Sequence, residues 1–439
     1  MKLRLLPSYL ADGRTVIRKK GFSSILRFDT FLDDIREARS THARYRNSAF
    51  RLKRLDFSAT DLAKNREIVS SFSNLSGFKI GTVNWFVPHF SQIFGGVFTI
   101  LRFAEYFARK SIANTFVICG ETDTSGADMG GIKQRIVKSF PNLSWADVIS
   151  LEEGKENDLP EADISIATQW ETAYSLLKFN KTIGKFYFIQ DYEPLFYPAD
   201  VNFGLAEATY RFGFRGITNT MGLCERYRRC YGGVAEYFTP SVDKQIFYPD
   251  DKEFEHPAEK PFVMFFYARP NIPRNGFDLG LTALRIIKKK HGERVRIYTA
   301  GGTWDPGAYD LVGKIENLGI LPYEKTADLY RKCDLGLVFM FTEHPSFLPF
   351  EFMACGCPVV TNYNPATTWF FKDGENCLLA EPTVTAVCEK IELLMKNVDL
   401  HRRLVQNGLD LIRSTDWETE MEKIYRFVCK SAETAREPE

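Results

Sequence analysis

Phe341-Thr342-Glu343-His344-Pro345-Ser346-Phe347-Leu348-Pro349-Phe350-Glu351-Phe352-Met353-Ala354-Cys355-Gly356-Cys357-Pro358-Val359-Val360 decides how the rest of the chain is read. The pattern predicts a strand from Asp334 to Phe341, a polar loop, a short helix from Pro349 to Ala354 and a second strand from Pro358 to Thr361. That order is a parallel βαβ unit, and ligands of such units gather outside the carboxyl end of the strand. Glu343 falls at that end, and Glu351, eight positions on, falls inside the helix. The proline-containing turn suits a helix start, where free N–H groups attract an anion such as a diphosphate. In that setting Glu343 reaches sugar hydroxyls and Glu351 accepts hydrogen bonds from a ribose. The plain alternative is a loop carboxylate and an exposed helix carboxylate, against which stand the apolar neighbours Phe350, Phe352 and Met353.

Outward from this unit the alternation continues. Strand Pro261 to Tyr267, helix Leu279 to Lys290, strand Val295 to Ala300 and helix Glu324 to Lys332 complete one series. An earlier series has strands at Phe78 to Val87, Asn114 to Cys119, Asp163 to Thr168, Lys185 to Ile189 and Gly216 to Thr220, with a helix from Val97 to Lys110. The expected fold class is therefore α/β, with two Rossmann-like domains facing across a cleft, at 77–240 and 241–415. Helices from Val384 to Ile412 and Trp417 to Cys429 close the chain, and the last segment, 416–439, is a candidate to cross back to the first domain. Residues 1–76 show helix-compatible apolar spacing without a convincing strand, and are read as a helical N-terminal extension.

Three further groups of residues fall where ligands are expected. Arg269 and Arg274 lie in the loop after the first strand of the second domain and are placed to neutralise a diphosphate, although lone loop arginines are more often surface charges. Gly95 and Gly96 precede the first domain's first helix, where absent side chains let backbone N–H groups approach a ligand. Gln190, Asp191, Tyr192 and Glu193 follow a strand end, with a capped loop as the alternative reading.

The Glu-x7-Glu pattern, the helix behind it and Gly356-Cys357-Pro358-Val359-Val360 resemble the retaining glycosyltransferases of the GT-B fold, family 4. The loop carrying Arg269 and Arg274 agrees in order and spacing, with alanine at 268 where glycine is usual and arginine at 274 where lysine is commoner. The resemblance covers roughly residues 78–430 and implies a catalytic set of Glu343, Arg269, Arg274 and Asp191. It implies donor binding by Glu351, Gly95, Gly96, Ser346, Phe347 and Leu348, and acceptor-side contacts from Gln190, Tyr192 and Glu193. It also implies a nucleotide-sugar donor, retention of configuration, and neither a metal nor a cofactor. Gln190-Asp191-Tyr192-Glu193-Pro194 and the basic extension resemble a narrower branch, the rhamnosyltransferases of bacterial surface glycans. That branch implies deoxythymidine diphosphate L-rhamnose as donor, a growing or lipid-linked glycan as acceptor, and Phe341, Phe347 and Leu348 around the sugar's methyl group.

Composition fits this frame. The 439 residues suffice for two cores, and nine dispersed cysteines without a C-x-x-C pair read as reduced thiols. No stretch reaches the ~18 apolar residues of a spanning helix, and Leu3 to Leu10 is too interrupted for a signal peptide, so a cytoplasmic protein is expected. Residues 1–76 carry 16 Lys and Arg against 8 Asp and Glu, a balance that suits either a solvated helical segment or peripheral contact with an anionic membrane face. No nucleic-acid partner is expected. Two rivals stay open: a nucleotide-sugar epimerase, which needs histidine or carboxylate proton shuttles such as His89 or His344, and a catalytically silent sugar-binding partner. A dinucleotide dehydrogenase lacks its Gly-x-Gly-x-x-Gly signature here.

Overall fold

The computed structural model describes residues 52–75, 79–93, 95–120, 129–250 and 260–430. The chain divides into two compact units, Met1–Ser58 and Ala59–Glu439. Most of the basic extension, residues 1–51 and 76, lies outside the described residues. The last helix of that expected extension belongs to the larger unit. Helix α1 (Ala59–Ser73) buries Phe72 against Phe186, and the absence of a side chain at Gly184 makes room for that ring.

The first half of the larger unit is built on seven strands: β1 (Thr82–Pro88), β2 (Ala113–Cys119), β3 (Asp147–Ser150), β4 (Ala162–Ala167), β5 (Thr182–Ile189), β6 (Arg215–Asn219) and β7 (Ala235–Phe238). They pair in parallel in the order β3-β2-β1-β4-β5-β6-β7. Helices α2 (Gly96–Arg109), α3 (Met129–Ser139), α4 (Trp170–Lys178), α5 (Val201–Thr209) and α6 (Met221–Tyr231) connect them. The central strands are buried on both faces, which is why β1 and β5 read as mostly apolar without alternation, broken only by the buried Asn84 and by Gly184 and the buried Lys185. Helix α2 turns Ile100, Leu101, Phe103, Ala104 and Phe107 to the sheet, the 3.6-residue stripe seen in its sequence.

The second half repeats the plan with β8 (Phe262–Tyr267), β9 (Val295–Ala300), β10 (Glu316–Asn317), β11 (Leu335–Leu337), β12 (Val359–Asn362) and β13 (Leu378–Ala380), all parallel in the order β10-β9-β8-β11-β12-β13. Its helices are α7 (Phe277–His291), α8 (Tyr323–Lys332), α9 (Leu348–Ala354), α10 (Val384–Lys396) and α11 (Val398–Arg413). The helical stretch 384–412 is broken at Asn397, whose side chain accepts the Leu400 N–H and starts a new helix. The last helix, α12 (Trp417–Lys430), packs on the first half: Trp417, Met421, Ile424 and Val428 join its core, and Arg109 at the end of α2 and Lys110 just after it pair with Glu418 and Glu422. No described helix is long and apolar enough to cross a membrane. In both sheets the strand order reverses direction at the first strand, between β1 and β4 and between β8 and β11, which marks where ligands bind in such folds.

Candidate active site

Strand β11 ends at Leu337, and the chain runs on extended to Phe341, held by Val338 N–H to Val360 O and by Phe341 N–H to Arg274 O. This brings the segment after β11 against the Arg269–Arg274 loop. A tight turn comes next, with Ser346 in the left-handed region at φ 67°, a conformation a non-glycine residue holds only when its surroundings fix it. Helix α9 then starts at Leu348 with no side-chain cap on its first turn beyond a 3.4 Å contact from Leu348 N to Ser346 Oγ. The helix is fixed from both sides. Phe352 sits where any side chain on Gly336 of β11 would be, and Met353 packs on Gly408 of α11. Glu351 is thereby aimed at a set position.

Glu351 is buried, and among the described residues its carboxylate has no hydrogen-bond donor and no ion-pair partner. Loss of hydration, reinforced by the charge of Asp243, pushes its pKa up to about 8. Asp243 is itself paired with Arg102 of α2 at 2.6 Å and accepts from Tyr323 Oη at 3.3 Å. Glu343 has the opposite surroundings. Arg226 of α6 grips it with both ends of its guanidinium, Nε at 2.7 Å from one carboxylate oxygen and Nη2 on the other. The same guanidinium lies 4.4 Å from the Tyr192 ring centroid.

Asp191, just beyond β5, reaches across the cleft. One carboxylate oxygen accepts the N–H groups of Glu343 and His344, both at 3.1 Å, and the other accepts Thr342 Oγ1 at 2.5 Å. Burial raises its pKa to about 6, against the pull of these donors and of the nearby Arg274 charge. His344 is also buried, and desolvation lowers its pKa to about 3, so the ring is neutral. The Ser346 N–H donates to its Nδ1, which puts the ring proton on Nε2. The side-chain amide of Asn219, at the end of β6, lies 2.8 Å from that Nε2.

The remaining expected residues divide. Arg274 is half-buried, lies 4.1 Å from the Phe196 ring centroid and has no ion-pair partner among the described residues, whereas Arg269 donates to Tyr267 Oη at 3.3 Å. Gly95 takes φ 52° at the start of α2, whose first turn has no side-chain cap, and Gln190 Nε2 donates to Gly96 O at 3.1 Å. Tyr192 shares a 2.6 Å hydrogen bond with Tyr231. Phe347, partly buried, packs on the first half's core beside Trp417, and Leu348, partly buried, packs within the second half. Phe341 is partly exposed. Glu193 is buried, accepts Tyr187 Oη at 2.7 Å, and burial raises its pKa to about 8. Arg226, Asn219 and the Arg102–Asp243 pair are contacts that sequence reasoning missed, because each joins segments more than a hundred positions apart.

Two parallel sheets of this kind, each with its switch point at a shared cleft lined by carboxylates and arginines, make the GT-B fold of glycosyltransferases. HepE from Anabaena, solved with UDP-glucose, superposes with a TM-score of 0.62 at 13% identity, covering 80% of this chain and 99% of that one. Sucrose-phosphate synthase from Thermosynechococcus elongatus gives 0.58 at 12% identity, covering 80% and 98%. Residues 82–220 match the WsaF N-terminal domain and residues 263–392 the WsaF C-terminal domain, and the chain belongs to this WsaF family. It is 41% identical over 349 residues to the O-antigen biosynthesis protein RfbC of Myxococcus xanthus, a match that covers 79% of this chain and 27% of that protein. The chain thus spans about a quarter of the length of that curated relative.

Proposed function

We propose that the chain is a glycosyltransferase that moves a sugar from a nucleoside diphosphate donor onto a surface glycan, with the donor held between the two halves. The observation that carries this reading is Glu351, a buried carboxylate without a partner among the described residues, at the carboxyl side of the second sheet's switch point. Such a group is costly unless a ligand supplies donors, and the hydroxyls of a ribose are suitable ones. Arg274 is the matching cation for the diphosphate, with Arg269 beside it. The family match, and the names of RfbC and of the HepE complex, support the same class.

On this reading transfer retains configuration. Glu343, gripped by Arg226, orients the sugar and offsets developing positive charge instead of attacking it, and the arginines stabilise the departing phosphate. Activity should survive EDTA, and its loss on chelation with recovery on adding magnesium or manganese would count against this assignment. His344, neutral and held at both ring nitrogens, is a poor proton shuttle, which weighs against an epimerase. For the donor we retain deoxythymidine diphosphate L-rhamnose, on the narrower resemblance around Gln190 to Pro194. Thermal shift and transfer assays with a panel of nucleotide sugars test both levels. A preference for UDP-glucose or GDP-mannose would remove the rhamnose assignment, and stabilisation by no nucleotide at all would remove the class. Attachment to an anionic membrane face by the basic N-terminal segment is tested by vesicle sedimentation at rising salt, comparing the full chain with one starting at Ala59, which keeps Phe72 in the core.

A further inference from the structure

Asp191 belongs to the first half, yet its carboxylate is spent on a loop of the second. It receives Thr342 Oγ1, Glu343 N–H and His344 N–H, three consecutive donors. Arg226, also of the first half, then takes both oxygens of the Glu343 carboxylate. Glu343 is thus fixed at its backbone and at its head by two residues that its own half does not supply. A carboxylate has about four acceptor positions, and the guanidinium fork uses two, which leaves the others for sugar hydroxyls.

Resting on the glycosyltransferase reading, we infer that Asp191 and Arg226 are positioning residues of the first half that set Glu343 of the second half against the donor sugar. Neither residue touches the reacting atoms. Asp191 acts on the loop and Arg226 on the carboxylate. The first half therefore governs turnover through a residue of the second, while nucleotide binding rests on Glu351 and Arg274 and does not need the clamp.

The test is made on the full chain, with wild type, Asp191→Asn, Arg226→Gln, Arg226→Lys and Thr342→Val, measuring kcat with the donor that the panel assay selects and the Kd of its nucleoside diphosphate. Asp191→Asn and Arg226→Gln should lower kcat by about 30-fold or more, with Kd within about threefold of wild type. Arg226→Lys, which keeps the charge without the fork, should recover part of the loss. Thr342→Val removes one of the three donors and should give a smaller fall in kcat of the same kind. If Asp191→Asn does not fold, the partly exposed Arg226 and the single hydroxyl of Thr342 still decide. Unchanged kcat in Arg226→Gln and Thr342→Val overturns the inference, as does a loss of nucleotide affinity equal to the loss of kcat. A wild-type chain that binds no nucleoside diphosphate and transfers no sugar overturns the glycosyltransferase reading instead.

Discussion

Glu343 and Glu351 are the same residue type, eight positions apart, in opposite surroundings. The first lies in a loop whose shape and charge are set by Asp191 and Arg226 across the cleft. The second is fixed by its own half, through Phe352 on β11 and Met353 on α11, and has no partner for its charge among the described residues. One is satisfied by residues of the other half, and the other has no partner among the described residues. A pre-set, costly carboxylate suits ligand capture, while a carboxylate assembled from two halves suits the step after capture.

The largest effect should come from removing one charge at a time. Glu343→Gln is expected to lower transfer by ~100-fold or more while the nucleoside diphosphate still binds, because the amide keeps the shape and loses the electrostatic contact to the sugar. Glu351→Gln should weaken nucleotide binding by about tenfold, with a smaller effect on turnover of bound donor. Isothermal titration beside steady-state kinetics separates the two. If both variants lose affinity and turnover in the same proportion, the division of labour between the glutamates is wrong.

The arginines sharpen the contrast at a lower level. Arg274 is packed against Phe196, with the Asp191 charge nearby but no ion-pair contact among the described residues, whereas Arg269 leans on Tyr267. Arg274→Gln is therefore expected to raise the barrier by about 2 kcal/mol and Arg269→Gln by less, read as kcat/KM. The reverse order would assign the diphosphate to Arg269.

Whether a feature can be read in advance depends on how local it is. The placement of Glu343 in a loop and of Glu351 on the next helix was legible because a strand and that helix are joined by a short segment, and period and turn residues mark both. Arg226 was not, since a helix residue 117 positions away carries no local sign that it will meet Glu343. The contact of Glu193 with Tyr187 was not legible either, because a polar residue after a strand has two faces to choose from and packing decides between them. The alternating strands and helices were legible through their apolar runs, but β10, two residues long, and β13, three, are too short to carry a pattern. The position of α1 escaped for a related reason: a weakly amphipathic stretch with balanced charge does not advertise one decisive buried residue, Phe72, or the glycine across from it.

The smallest effect tests whether Glu351 is truly unsatisfied when the cleft holds no ligand. Its pKa rises from an ordinary 4.5 to about 8, chiefly through lost hydration. Between those values the folded chain holds a proton that the unfolded chain has released, so this group makes stability fall as pH rises from about 4.5 to about 8 and level off above. Glu351→Gln removes that dependence. An amide in the same place carries its own cost for lacking partners, but that cost does not change with pH. Asp191, raised to about 6, shifts stability in the same direction in both proteins and cancels in the comparison. The difference in unfolding free energy between variant and wild type, measured by urea titration at pH 5 and pH 9, should therefore move in favour of Gln by on the order of 1–2 kcal/mol. That is less than the full shift implies, because a buried carboxylate draws in water when it ionises. Saturating nucleoside diphosphate should shrink the pH dependence of the wild type, since ribose hydroxyls would then hydrate the charge in water's place. A difference that stays flat between the two pH values would mean that Glu351 already has a partner, and the contrast with Glu343 would lose its physical basis.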